Sequence, residues 1–196
     1  DAKGNYAIKN TFLWPALREY GEFVLNSNLN LDDAANALAD LEFTIQTDKK
    51  TSVTTDLDKE NVPNSIVQKY SGKNRYDFSL YIENNSEFLS FKNKDIEVLN
   101  NKKTKNVNDI LKAVIVDRVV EFAKEKIGDY PYPVVTISQV DYERNPFYGF
   151  NQLPSFLKPF PEEFDYEINF LKTYLNAYIK NSLPLNKRSE NWIYDG

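Results

Sequence analysis

The hydrophobic period changes once along this chain, at Asn108, and that change constrains the fold more than any other feature. Before it, apolar residues alternate with polar ones. LEFTIQTD (Leu41–Asp48) has the two-residue period of a half-buried strand, and TSVTT follows a Lys-Lys turn. Arg75–Ile82, Glu87–Phe91 and Asp95–Leu99 read as further short strands, separated by Asn-Asn and Lys-Asn turns. Their spacing suggests antiparallel sheet, as part of a sandwich. Leu31–Asp40 suits a short helix or an ordered loop. Asn100–Asp109 is polar and basic, and reads as a linker whose Lys-Lys-Thr-Lys cluster is solvated.

After Asn108 the period is helical. Asn108 can cap, Leu111, Val114, Ile115, Val119, Phe122 and Ala123 share one face, and Gly128 ends the helix. Val134–Val140 reads as a strand. Pro161 opens another helix, with Phe164, Ile168, Leu171, Leu175 and Ile179 as its apolar stripe. The expected class is α+β: a β-rich, sandwich-like part over residues 1–108, then a mixed α/β part over 109–196. No apolar run approaches the ~20 residues of a membrane span.

Composition then excludes chemistry. The 196 residues hold no Cys, no Met and no His. Disulfides, thiolate nucleophiles and a Ser-His-Asp triad are therefore absent, and any metal would be held by oxygen alone. With 24 basic and 29 acidic residues the net charge is −5, and no basic face stands ready for phosphates, so nucleic acid is not an expected partner. No cofactor and no metal site is expected. The carboxylates of PEEFDYE sit where negative charge offsets a helix dipole, which accounts for them without catalysis. The 13 Tyr and 13 Phe suit core packing as well as sugar stacking, and their spacing forms no platform.

Lys172 and Asn176 are four residues apart on the last full helix, and Asp195 follows in WIYDG (Trp192–Gly196), where a further helix begins. Two side chains one turn apart plus a third on the next helix is the geometry of a gluzincin zinc site. The chain resembles the aminopeptidase N-like family of zinc gluzincins, thermolysin-like enzymes. K-T-Y-L-N (Lys172–Asn176) stands where that family has H-E-x-x-H, and W-I-Y-D-G looks like its W-L-N-E-G. Phe122–Val140 is similar to the family's helix, its G-x-Y-P-Y-P turn and the strand leading to the cleft. FYGFNQL (Phe147–Leu153) takes the place of G-x-M-E-N. Leu13–Glu19 and the strands ADLEFTIQT and SVTTDL resemble segments of the family's N-terminal β-domain.

The resemblance implies that residues 1–108 are a fragment of that N-terminal domain and 109–196 the opening of a thermolysin-like domain, with the rest of a longer polypeptide covering the last helices. Lys172, Asn176 and Asp195 are then the positions equivalent to zinc ligands, and Thr173 to the general base. Gly149 and Gln152 are equivalent to the motif that holds the substrate amine. An ammonium and an amide are not zinc ligands, and a threonine hydroxyl is no base at neutral pH. A Lys172–Asp195 ion pair is expected to fill the vacated place. The expected function is that of a non-catalytic relative, binding or scaffolding for a protein or peptide partner. An active hydrolase with ligands outside this chain, and a carbohydrate-binding or surface assembly module, are the alternatives. Family members often act outside the cytoplasm, which points towards a periplasmic or cell-surface setting without fixing it.

Overall fold

The computed structural model describes residues 38–60, 66–144, 154–157 and 161–183, together with the backbone of 6–9, 18–19 and 22–23. The chain is α+β and rich in strand. It divides into two compact units, 1–86 with 179–196, and 87–178. This division at Ser86 and the change of hydrophobic period at Asn108 are different boundaries. The two strands between them belong by sequence pattern to the β-rich part and by pairing to the second unit.

In the first unit, β1 (Tyr6–Lys9), β2 (Arg18–Glu19) and β3 (Glu22–Phe23) precede β4 (Ala39–Gln46). Then come β5 (Ser52–Thr55), β6 (Asp58–Lys59), β7 (Val67–Arg75) and β8 (Ser79–Glu83). Antiparallel sheets form in the orders β1-β8-β5 and β4-β7-β6, beside the β2-β3 pair. Leu41, Phe43 and Ile45 of β4 alternate inward as expected and meet Tyr70 of β7 and Leu80 and Ile82 of β8 in one apolar cluster. That cluster draws on both three-stranded sheets.

One sequence reading changes here, and one strand carries no sequence signal. Arg75–Ile82 is not one strand, because the chain breaks at Tyr76–Phe78. Arg75 is buried and donates from Nη2 to the Asp56 carbonyl at 2.9 Å, and Asp77 Oδ1 accepts from the Phe78 amide at 2.8 Å. β7 itself has no apolar alternation. Its inward positions are Tyr70, Gly72 and Arg75, and a polar strand with a glycine carries no hydrophobic signal.

The second unit holds β9 (Leu89–Lys92), β10 (Glu97–Asn100), α1 (Asp109–Lys126), β11 (Val134–Ile137), α2 (Gln139–Arg144), a 3₁₀ turn at Ser155–Leu157 and most of α3 (Glu162–Ser182). β10 and β11 pair in parallel and β9 pairs antiparallel on the other edge of β10. A parallel pair needs a crossover, which α1 supplies. The Asn108 side chain accepts from the Leu111 amide at 2.9 Å, closing the N-terminus of α1 as its sequence implies.

β11 is shorter than its apolar run. The Ser138 hydroxyl accepts from the Asp141 amide at 3.0 Å and donates to the Asp141 carboxylate at 2.7 Å, so the chain turns into α2 at once. The core face of α1 is Ile115, Val116, Val119, Val120 and Ala123, while Val114 and Phe122 are about half exposed. On α3 the buried column is Tyr166, Phe170, Tyr174 and Tyr178, not the aliphatic stripe, and Phe164 is exposed. The aromatic column buries more area per residue, and its hydroxyls at either end find partners. Tyr166 Oη accepts from Asn100 Nδ2 at 2.8 Å, and Tyr178 Oη donates to the Asp129 carbonyl at 3.0 Å. Among the described residues, no helix is long and apolar enough to cross a membrane.

Candidate functional site

Helix α3 carries three of the positions singled out by sequence. Lys172 and Asn176 lie one turn apart, both partly buried. Thr173 faces the core and is buried, and its hydroxyl donates to the Asn169 carbonyl of the preceding turn at 2.8 Å. Asp195, Gly149 and Gln152 lie outside the described residues, as do Leu31–Ala37 and the WIYDG segment. The Lys172–Asp195 pairing therefore stays an expectation.

The zinc that the resemblance implies does not fit these donors. Lys172 offers an ammonium, Asn176 an amide and Thr173 a hydroxyl already engaged by its own helix. Among the described residues, no group of three or more His, Cys, Asp or Glu stands together so as to hold a metal ion.

A second cluster was not legible as a site. It lies where the segment after β10 passes the C-terminal ends of the parallel strands. By composition that segment is a solvated linker, but Asn100, Lys102 and Val107 are buried. The reason is coverage: α2 brings Tyr142 and α3 brings Tyr166 over the loop. The Lys102 ammonium lies 3.5 Å from the centroid of the Tyr142 ring and 6.0 Å from that of Tyr166. Asn100 fixes the turn from both ends of its amide, its oxygen accepting from the Lys102 backbone N–H at 2.8 Å and its nitrogen donating to Tyr166.

Burial pushes the Lys102 amine down to about 8, against the opposing pull of the Asp165 and Glu143 charges. Burial likewise pushes the Tyr166 phenol up to about 12. The cluster thus sets an amine of lowered basicity beside the Tyr166 phenol, whose proton is held more tightly than usual. The sequence signal for it was faint: a lysine two residues beyond a strand that feeds a crossover helix.

No family model matches this chain, and no curated protein matches it.

Proposed function

We propose that the chain is a non-catalytic relative of the zinc aminopeptidases, acting through binding or scaffolding of a peptide or protein partner. The carrying observation is Thr173. At the position equivalent to the family's general base, the side chain is buried in the helix packing and its hydroxyl hydrogen is committed to Asn169. A group so placed cannot take a proton from an attacking water. The order of strand, crossover helix, parallel strand and long helix supports the same reading, because it suits the opening of a thermolysin-like domain. A fold of this kind carries function only by analogy, so the test must be chemical.

Purified protein should contain no stoichiometric zinc by elemental mass spectrometry and should release no amine from aminoacyl amides. Peptides offered to it should be recovered intact. Zinc at one equivalent together with turnover would overturn the reading in favour of an active hydrolase. Retention on a glycan array would favour the carbohydrate-binding alternative.

A further inference from the structure

We propose that the outer edge of β4 binds an extended peptide as an added strand, and that this peptide alternates apolar with basic residues. β4 is eight residues long, and among the described residues it pairs on one side only, with β7. The proposal gives the binding reading above a place and a partner chemistry, and rests on it only in taking a peptide to be bound. The edge lies in the first unit, on a strand that holds none of the α3 positions.

The direction of the backbone groups follows from the ladder. Thr47 N donates to the Ile66 carbonyl at 3.0 Å, next to the facing pair Gln46 and Val67. Peptide groups alternate sides along a strand, so Leu41, Phe43 and Ile45 also bond towards β7. Glu60 N donates to the Lys69 carbonyl at 3.0 Å, which sets the matching alternation on β7. The N–H and C=O groups of Glu42, Thr44 and Gln46 therefore point away from the sheet, and among the described residues no backbone group meets them. A row of such groups at strand spacing is satisfied by another strand, which fixes the conformation of the occupant.

Side chains fix its composition. The row on the solvent face reads Asp40, Glu42, Thr44, Gln46 and Asp48, all exposed. Glu42 faces Ser71 of β7, and Asp58 of β6 faces the same serine, so neither carboxylate has a base directly opposite. Lys69 is drawn to Glu60 at 4.0 Å, and Lys73 lies at the far end, by the register shift at Ala39–Leu41. On the inner face Leu41 is buried, while Phe43 and Ile45 are only partly covered, at the rim of the first unit's apolar cluster. An added strand with basic residues outward and apolar residues inward answers both faces. A second copy of β4 does not. Every antiparallel register centred within the strand sets two of Asp40, Glu42 and Asp48, or one of them and its own copy, opposite or diagonal to each other, where like charges repel.

The test uses the whole chain and two capped peptides, Thr-Lys-Val-Lys-Val-Lys-Val-Thr and its counterpart with glutamate for lysine. Hydrogen exchange resolved to single amides should slow at Glu42, Thr44 and Gln46 when the basic peptide is added, with Leu41, Phe43 and Ile45 little changed. The acidic peptide should bind at least about tenfold more weakly. Thr44→Pro should abolish binding and leave thermal unfolding close to that of the unaltered protein, because a proline whose nitrogen faces outward is tolerated on an edge strand. Glu42→Lys, a change at an exposed side chain, gives a second reading that does not depend on that variant folding: affinity for the basic peptide should fall by about threefold or more. No new protection at about 1 mM basic peptide, or equal affinity for the two peptides, would overturn the proposal. So would Glu42, Thr44 and Gln46 amides already protected in the peptide-free protein. Protection that grows with protein concentration would assign the edge to a second copy, and constant protection to the chain itself. Zinc content and peptide hydrolysis do not enter, so this test and that of the α3 positions can fail separately.

Discussion

A buried lysine is a cost to the fold in a definable pH window. The folded-state value of Lys102 is lowered to about 8, below its unfolded value near 10.5. Between these two values the unfolded chain binds more protons, so the lysine's contribution to stability rises with pH through that window. Below it both states are charged and the burial penalty is fully present. Lys102→Met should therefore stabilise the protein at pH 7, by about 1–2 kcal/mol once the lost attraction to the Tyr142 ring is allowed for. The gain should fade above about pH 10.5, and urea titrations of both proteins across this range measure it. The same reasoning applies with opposite emphasis at Thr173. Thr173→Glu puts a charge on the buried face of α3 and should cost about 3 kcal/mol or more. Circular dichroism melts would register this loss, and the variant should gain no aminopeptidase activity. Neither residue's setting could be read from its neighbours in sequence. Lys102 stands in a run that looks solvated, and only the overlying Tyr142 and Tyr166 make it unusual.

Elements differ in how much of their geometry is local. The N-terminus of α1 is a local event: one asparagine side chain and one amide three residues on. Asn108→Ala should cost about 1 kcal/mol, visible as a lowered urea midpoint with an unchanged slope. The cap, the helix and its end near Gly128 were all legible, because each is fixed within four residues. The rotation of that helix was not. Apolar residues fill more than one face of α1, and contact with the sheet selects Val116 and Val120 over Val114 and Phe122. β7 lies at the other extreme, invisible to periodicity and held by its pairing with β4. A Cβ at Gly72 would stand 2.7 Å from Leu57 Cδ2 and 3.1 Å from Arg75 Cγ. Gly72→Ala should thus destabilise by about 1–3 kcal/mol, which thermal unfolding followed by far-ultraviolet circular dichroism would detect.

Among the described residues the buried apolar side chains gather into two clusters, one in each unit, and at the scale of the molecule this is the feature with consequences. The larger lies in the second unit, where Val98, Val116, Val135, Ile137 and Phe170 are fully buried. Phe170 stacks between Tyr166 and Tyr174, with ring centroids 6.3 Å away on each side. Phe170→Ala should cost about 3–5 kcal/mol. Native-state hydrogen exchange should then show the largest loss of protection in β10, α1 and β11, with β4 and β7 less affected; equal loss in both units would argue for one cooperative block.

The amino-acid sequence by itself determined the α+β class, the helix after Asn108 and its cap, the inward alternation of β4 and the exclusion of imidazole and thiolate chemistry. These follow from residue identities and from spacings within one or two turns of chain. That this helix is a crossover between parallel strands came from the pairing of β10 with β11. Tertiary structure alone decided which face of α3 is core, where the second unit begins and which lysine is buried. Such choices depend on the area and hydrogen-bond partners that distant segments bring together. Tyr166 reaches Asn100 across 66 positions, and no local pattern encodes that meeting.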